Sequence, residues 1–237
     1  MVYSRIINRK ELTFGHAGRT LRNAIVFYDT ATNSFWSQFV GEAVQGDYTG
    51  TSLVLIPSMI TTWEKWKKEY PNTVAMKTNE ITMMQEMMQN MNKSYYASST
   101  TMMGEFVEDV RLSAKEFVLG YAHGSVAKAY SIKNLVKNKI YNEVLNEIPI
   151  LVGYHLPTNS SKIFDRFVMG KELTFEYAGP DEDGIEIVID VETGSSWRLL
   201  DGLAIEGTLK GSTLQILPSH LSYWFAWTDH YPNTDLN

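Results

Sequence analysis

The sequence predicts an α+β fold that is mainly antiparallel β-structure, built as two tandem copies of one β-rich module that are each closed by a short helix. Two observations support this prediction. Residues 10–73 recur as residues 171–234 without a gap. Within each copy, short β-branched and aromatic runs alternate with Gly, Asn and Pro turns before one helical segment that ends at a proline. The 237 residues, 44% of them hydrophobic, are enough for two small cores.

The repeat has a constant offset, which carries Lys10 to Lys171. Both copies contain the string Lys-Glu-Leu-Thr-Phe, and roughly 24 of the 64 aligned positions are identical. The shared residues include Asp29/Asp190, Thr32/Thr193, Ser34/Ser195, Trp36/Trp197, Gly41/Gly202, Gly46/Gly207, Gly50/Gly211, Trp63/Trp224, Trp66/Trp227 and Tyr70/Tyr231. The period is too long for a solenoid, so it indicates a duplicated domain whose copies are related by pseudo-symmetry.

The elements of the first copy follow from its local patterns. Asp29 with Asn33, like Asp190 with Gly194, is typical of a hairpin turn whose last residue is left-handed. A helix is expected over 58–69, capped by Ser58 or Thr61 and ended by Tyr-Pro. The expected strands are 12–14, 25–28, one opening at Trp36, 53–56, and, ahead of the second copy, 117–121, 126–130 and 148–154.

These patterns divide the chain into a first module (1–78), a Met-rich helical linker (79–114) and a second, complete module (115–237). The strands upstream of residue 163 have no counterpart ahead of Met1, so the first module is expected to be N-terminally truncated. An incomplete sheet leaves an exposed strand edge. Self-association through this module is therefore one expectation.

Composition limits the classes of partner. The net charge is −6, which argues against nucleic-acid binding because phosphate contacts need a basic patch. No apolar run reaches the length of a membrane span. Cysteine is absent, so within these residues there is no disulfide, thiolate metal site or cysteine nucleophile. Common hydrolase, metalloprotease and nucleotide-binding motifs are also absent, and no cofactor or catalytic residue is assigned.

Candidate site residues are polar residues that occur in one copy and not in the other, because the common fold does not require them. They are His16, Arg22, Asn23, Gln38 and Glu42, all in the first module. His16 and Glu42 can form an acid–base pair or ligate a metal if the fold brings them together. Arg22 can hold an anionic group with two hydrogen bonds. The alternative is a hydrogen-bonded network that supports a loop.

The linker contains a helical segment at 81–91 whose methionines are Met83, Met84, Met87, Met88 and Met91. Such a stripe can bind Cu(I) through thioethers, but it more often forms a pliable apolar face. The same face is a candidate for docking a partner or a second copy.

The string Lys10 to Gly15, together with Arg22-Asn23, Tyr28-Asp29 and Trp36-Ser37-Gln38, resembles the domain-of-unknown-function family 3179. Residues 217–220 and 224–227 resemble its C-terminal half. The resemblance implies a fold and, because members often carry export signals, a periplasmic or extracellular setting. It also implies a further stretch ahead of Met1 that ends in a Cys-Pro-x-Cys-like segment; the matching part of the second copy, 154–157, has no cysteine.

Three functional hypotheses remain. The first is an extracytoplasmic module that binds a small ligand or a metal in the first module. The second is a hydrolase or redox enzyme whose site needs the segment ahead of Met1. The third is a structural or interaction protein that uses the Met-rich linker.

Overall fold

The computed structural model describes residues 1–75, 83–101 and 103–237. The names first module, linker and second module are kept below as labels for the predicted ranges 1–78, 79–114 and 115–237. The first range contains β1 (Val2–Tyr3), β2 (Ile6–Ile7), β3 (Lys10–Glu11), β4 (Phe14–Leu21), β5 (Ala24–Asp29), β6 (Phe35–Ser37), β7 (Glu42–Gln45), β8 (Leu55–Ile56) and α1 (Trp63–Glu69). The linker contains α2 (Met83–Ala97).

The second module begins with β9 (Phe117–His123), β10 (Val126–Ser131), α3 (Ile132–Asn138), β11 (Ile140–Leu145), β12 (Ile148–His155), β13 (Ser160–Asp165), β14 (Phe167–Val168) and β15 (Lys171–Glu172). It continues with β16 (Phe175–Pro180), β17 (Glu186–Asp190), β18 (Ser196–Arg198), β19 (Ala204–Glu206), β20 (Gln215–Leu217), β21 (His220–Tyr223), α4 (Trp224–His230) and β22 (Asp235–Leu236).

The strands form several small sheets, almost all antiparallel. Two four-stranded sheets have the orders β4-β5-β6-β7 and β16-β17-β18-β19, and both consist of consecutive hairpins. Two more have the orders β21-β9-β10-β22 and β11-β12-β13-β20. The β10–β22 pair is parallel. The predicted α+β class with mainly antiparallel strands is therefore confirmed.

The predicted turn after β5 is confirmed, and a buried carboxylate organises it. Asp29 is fully buried and accepts hydrogen bonds from the Thr32 N–H at 2.6 Å and from the Trp36 indole N–H at 3.1 Å. Asn33 completes the turn in the left-handed region, with φ of 57°. A carboxylate that binds both the turn and the next strand fixes the hairpin register.

The turn after β17 contains the same arrangement. Asp190 accepts hydrogen bonds from the Thr193 N–H at 2.6 Å and from the Trp197 indole N–H at 2.8 Å, and Gly194 has φ of 68°. The edge-to-face contacts are also alike: Phe14 lies 5.7 Å from Trp36, and the matching rings of the second module lie 5.8 Å apart. Positions related by the sequence repeat therefore have the same local structure in these two sheets.

Acid should weaken the first of these clusters. Burial raises the pKa of Asp29, but the hydrogen bonds from Trp36, Thr32 and Ala31 outweigh burial, and the pKa is lowered. The carboxylate therefore stabilises the fold above about pH 4, the pKa of an unfolded aspartate, and the stabilisation is lost as the pH falls through the lower folded value. We expect the melting temperature of the wild type to fall with decreasing pH below about 4, and the Asp29→Asn variant to show a flatter acid profile. An equally steep profile in the variant would contradict this assignment.

The predicted helix over 58–69 begins later than expected. Thr62, and neither Ser58 nor Thr61, is the N-cap: its backbone is extended and its hydroxyl accepts a hydrogen bond from the Lys65 N–H at 3.3 Å. The Thr61 hydroxyl instead donates to the carbonyl of Thr158 at 2.6 Å, which holds the preceding segment away from helical geometry. Two strand boundaries also differ from the prediction. The strand predicted over 12–14 begins only at Phe14, as β4, and the strand predicted over 53–56 is limited to Leu55–Ile56, as β8.

The linker helix is confirmed from Met83 and extends past the predicted segment to Ala97. Met83, Met87, Met88 and Met91 are exposed on it, with exposed fractions of 55–86%. The predicted boundary between 78 and 79, residues 81–82 and the side chain of Met84 lie outside the described residues. Within the described residues, no helix combines the length and apolarity that a membrane crossing requires.

One apolar cluster contains residues of both modules. Ala24 and Phe39 of the first module pack with Val118, Trp224 and Trp227 of the second. The rest of the second module's core lies between its sheets and beneath α3. This contact between the modules positions the candidate site described below.

Candidate functional site

A cavity of about 310 Å³ lies where residues 58–62 of the first module approach the second module. Its other walls are β9, β21, the start of α3 and the hairpin that joins β12 to β13. Its volume is at the lower end of the range of small-molecule sites. The lining residues are Met1, Ser58, Met59, Ile60, Thr61, Thr62, Phe117, Leu119, Ile132, Tyr154, Asn159, Ser160, Ser161, Ser219, His220 and Leu221.

The position of His220 in the cavity wall follows from strand pairing. β21 runs antiparallel to β9, and His220 lies opposite Gly120. A Cβ at Gly120 would lie 2.0 Å from the Trp227 ring, so the glycine allows the indole to pack directly on the strand. The rings of His220 and Trp227 are 5.4 Å apart, and Phe39 of the first module makes an edge contact with the imidazole at 4.9 Å. The imidazole is therefore held by aromatic rings from both modules.

This imidazole is a neutral polar group in apolar surroundings. Burial, above all, lowers the pKa of His220 to about 4, with further contributions from the positively charged amino group of Met1 and then from His230. The Nε2 atom of His220 is buried and has no hydrogen-bond partner within the described residues. An unsatisfied buried polar atom costs about 1–3 kcal/mol, and a hydrogen bond to this Nε2 would relieve part of that cost.

The hairpin after β12 supplies hydroxyl groups on the opposite side. The Tyr154 hydroxyl donates to the Asn159 side-chain carbonyl. A buried chain of contacts runs from the Ser160 hydroxyl through the Thr158 hydroxyl to Nδ1 of His155, each step 2.7 Å long. These residues close a tight turn, since His155 and Ser160 are the last pair of the two strands. The network fixes the turn and presents Ser160 to the cavity.

His155 itself is also held neutral. Burial, and then the nearby Lys162, lowers the pKa of His155 to about 4. Burial lowers the pKa of Lys162 as well, and its ammonium donates to the Leu200 carbonyl at 2.5 Å. The residues of this hairpin that line the cavity themselves are Tyr154, Asn159, Ser160 and Ser161, which are all polar side chains without a formal charge at neutral pH. Neutral polar atoms among apolar side chains suit a neutral organic ligand.

Two of the predicted site residues, Arg22 and Asn23, form the two-residue loop between β4 and β5. Both have left-handed φ values, 47° and 64°, as such a hairpin loop requires. The Arg22 guanidinium donates to the backbone carbonyl of Asp229 at 2.9 Å, and the Asn23 amide donates to the carboxylate of Asp229 at 2.9 Å. In the structure these two side chains bind helix α4 of the second module.

The other three predicted residues lie apart from this contact. His16 is exposed on β4, and its Nδ1 accepts a hydrogen bond from the Gly18 N–H at 2.9 Å. Gln38 is half-buried, and its backbone carbonyl accepts from the Tyr3 hydroxyl at 2.9 Å. Glu42 is exposed on β7, and the two strands β5 and β6 lie between β7 and β4 in the sheet. At about 4.8 Å between strands, His16 and Glu42 are separated by at least about 14 Å, too far for a direct acid–base pair.

His16 lines a second, smaller cavity, in the first module. This cavity has a volume of about 290 Å³ and is bounded by Met1, Tyr3, Ser4, Arg5, Phe14, Gly15, His16, Phe27 and Leu53. Across 1–75, 83–101 and 103–237, no cluster of three or more His, Cys, Asp or Glu residues has the arrangement of a metal site.

Asp229 and His220 were not among the residues predicted for the site. Both face partners that are distant in sequence, such as Asn23 and Phe39. The repeat offered one signal for His220, because the matching residue of the first module is Met59.

Comparison with known proteins adds one finding. The family model described as a protein of unknown function (DUF3179) matches residues 1–234. The chain belongs to that family. No curated protein and no solved structure matches this DUF3179 chain. The match covers both modules and the cavity between them, so the resemblance noted from the sequence is confirmed. The family description assigns no activity, and the function must be argued from the site.

Proposed function

We propose that this DUF3179 protein is a non-enzymatic module that binds a small, neutral, largely apolar organic molecule in the cavity between residues 58–62 and the second module. The observation that carries the proposal is the unpartnered, buried Nε2 of His220 in a mainly apolar cavity wall. A ligand that fills the cavity and supplies one hydrogen bond to Nε2 removes a desolvation cost that the ligand-free protein bears.

The chemistry of the wall favours a ligand with a hydroxyl group. Neutral imidazole has one donor and one acceptor nitrogen, and a hydroxyl can satisfy Nε2 in either tautomer. Phe117, Leu119 and Ile132 surround the remainder with apolar surface. Monocyclic phenols and medium-chain alcohols combine both features.

The proposal predicts a specific response to ligand chemistry. We expect phenols to bind the wild type roughly tenfold more tightly than the matching hydrocarbons, since one hydrogen bond contributes about 1–1.5 kcal/mol. In the His220→Phe variant this preference for the hydroxyl should disappear while the hydrocarbons bind as before. A thermal-shift screen followed by titration calorimetry measures both.

The matched control is His123→Phe, which replaces a histidine outside the lining of the cavity. It should keep the tenfold preference. No stabilisation by any phenol or alcohol, or an unchanged preference in His220→Phe, would rule out this site. Loss of binding in His16→Ala instead would move the site to the first-module cavity.

The cavity at His16 is the second candidate for small-ligand binding. A ligand in this cavity would agree with the prediction of a site in the first module. Of the five predicted residues, His16, Arg22, Asn23, Gln38 and Glu42, only His16 lines the cavity. A metal ligand also remains a prediction, and elemental analysis of the purified protein tests it.

We also propose that the chain arose by tandem duplication, with modules 1–78 and 115–237 joined by the linker 79–114. Support comes from the constant sequence offset together with the equal strand order and equal Asp–Trp clusters of the two hairpin sheets. An exported setting rests on the family resemblance alone and remains a prediction.

Two other functions remain as proposals. An enzyme whose site needs a segment ahead of Met1 would gain activity when that segment is added. An interaction role for the linker is supported by the exposed methionines of α2. Removing 80–103 and measuring the association state tests that role, and an unchanged state would count against it.

A further inference from the structure

The cavity beside His16, which we call the first-module cavity, has a filled counterpart in the second module. Four residues of its wall match core residues of the second module at the repeat offset. The matching pairs are Tyr3/Phe164, Phe14/Phe175, Phe27/Val188 and Leu53/Leu214. The second-module residues are buried and pack in one cluster with Leu151, whereas the four residues of the first module are half-buried around a space of about 290 Å³. The second module therefore indicates what this space can hold.

The second module fills its matching space with an apolar side chain and a carboxamide. Leu151 of β12 lies opposite Phe164 in the strand pair and is fully buried. Asn142 of β11 reaches the backbone of Phe175. Its side-chain N–H donates to the Phe175 carbonyl at 2.8 Å, and its side-chain carbonyl accepts from the Phe175 N–H at 2.9 Å. One carboxamide thus satisfies both backbone groups of Phe175 at the edge of the sheet that begins with β16.

Phe14 presents the same two backbone groups in the first module. It lies on β4, at one edge of its sheet, opposite Asp29 of β5. The Asp29 N–H donates to the Ser34 carbonyl, and the Asp29 carbonyl accepts from the Asn33 N–H, so both groups of Asp29 point away from β4. Residues opposite each other in such a pair share no hydrogen bond, and the N–H and carbonyl of Phe14 therefore point to the free edge. Among the described residues, neither group has a hydrogen-bond partner.

We propose that the first-module cavity binds a small apolar carboxamide, whose amide group pairs with the N–H and the carbonyl of Phe14. The pairing is the one that the Asn142 side chain makes with Phe175. The apolar body of the ligand packs against Tyr3 and Leu53, whose counterparts surround Leu151. This inference rests on the second candidate of the proposed function, small-ligand binding beside His16, and it requires no ligand at His220.

Two-point pairing distinguishes a carboxamide from other polar groups. A primary amide carries an acceptor and a donor side by side, as a backbone edge requires. A ketone or a carboxylate supplies acceptors alone, so the Phe14 carbonyl would remain without a partner and would face another oxygen. The arginine of the wall, Arg5, already pairs with Glu11 at 2.5 Å and is exposed. The cavity therefore favours the neutral amide.

The ligand test compares benzamide with acetophenone, because both have the ring and the carbonyl and they differ in an amino group against a methyl group. We expect benzamide to bind the wild type roughly tenfold more tightly, the ratio that one hydrogen bond produces. Titration calorimetry measures this ratio. Equal affinities for the two compounds, or no binding of benzamide, would overturn the proposal.

The site test uses backbone amides in heteronuclear NMR spectra. Saturating benzamide should shift the resonance of the Phe14 amide and slow its hydrogen exchange several-fold, because that N–H gains an acceptor. The Gly15 amide, which points toward β5, should respond less. The Phe175 amide, which is already bonded to Asn142, should not respond. Benzamide binding without a response at Phe14 would contradict the assignment.

Three variants separate this site from the cavity at His220. In His220→Phe, the affinity for benzamide and the response at Phe14 should both persist. Leu53→Trp fills the first-module cavity and should abolish both, whereas Val54→Trp changes the neighbouring residue, which is 66% exposed and outside the lining, and should retain both. Loss of benzamide binding in His220→Phe would place the ligand in the other cavity and overturn the proposal. If Leu53→Trp does not fold, the Phe14 response in the wild type and in His220→Phe still decides.

The pairing used as the template can be checked by itself. Asn142→Ala removes the partner of the Phe175 N–H, so exchange of that amide should become several-fold faster. Unchanged exchange would show that the carboxamide does not hold this edge and would remove the basis of the proposal. None of these measurements depends on phenol binding, so a failed phenol preference at His220 leaves the carboxamide site standing, and the reverse is also true.

Discussion

Asp229→Ala should lower the free energy of unfolding by about 2–4 kcal/mol, because it removes a buried carboxylate that accepts three hydrogen bonds. The side chain is fully buried in α4. Its oxygens accept from the backbone N–H groups of Phe106 at 2.8 Å and Val107 at 2.9 Å and from the Asn23 amide at 2.9 Å. Alanine leaves these donors without their acceptor. Urea denaturation monitored by circular dichroism measures the loss.

The variant should also loosen two specific segments. Hydrogen exchange should become faster at Phe106 and Val107, and the loop at Asn23 should lose one of its contacts with the second module. Asn23→Gly keeps the left-handed backbone of the loop without strain. It removes the bond to Asp229 and the bond from the Asn23 amide to the Gly104 carbonyl, and it serves as the control, with an expected loss of about 1–2 kcal/mol. A change below 1 kcal/mol in Asp229→Ala would show that the carboxylate does not hold the modules together.

This contact explains why comparing the two copies identified useful residues but predicted a different role for them. Arg22 and Asn23 occur in the first module alone, and both bind Asp229 of α4 in the second module. The matching helix of the first module, α1, has Lys68 at the position of Asp229. The two modules contact each other here through different surfaces, a β-hairpin loop of one and a helix of the other, so the residues at the contact can differ between the copies. The alternative of a hydrogen-bonded network that supports a loop is the one these two residues fit.

The hairpin sheets were predictable because their determinants are local. Asp29 and the residues that donate to it lie within eight positions of one another, and the turn needs a left-handed residue that Asn33 and Gly194 supply. The start of α1 was not predictable in the same way. The bond from Thr61 to Thr158 joins positions that are far apart in the sequence, and it extends a segment that local propensity would make helical.

The cavity was beyond prediction for the same reason. Its wall combines residues 58–62, two strands of the second module and a hairpin turn. No periodicity relates these segments, so their meeting depends on how the modules contact each other. His220 carried a signal, since Met59 occupies the matching position, but the burial that leaves its Nε2 unpartnered depends on Phe39 and Trp227.

Asp190→Ala should destabilise the second module by about 3–5 kcal/mol, because it leaves a buried indole and a turn amide unsatisfied and opens a cavity beside Trp197. Asp190 and Trp197 are both fully buried. Besides the two N–H groups, the Thr193 hydroxyl donates to this carboxylate at 2.8 Å. Asp190→Asn keeps the volume and one acceptor, so its loss should be about half as large. Thermal and urea denaturation of both variants measure the difference.

The equivalent substitution in the first module makes this a test of the module division as well. Asp29 has the same partners, including the indole N–H of Trp36. If 1–78 and 115–237 are separate folding units, Asp29→Ala should lower the melting temperature of one transition and leave a second unchanged, and Asp190→Ala should do the reverse. One transition that shifts equally in both variants would mean that the modules unfold together. In that case the contacts of Asp229 with the first module and of Phe39 with the second module would be strong enough to make the two copies one cooperative domain.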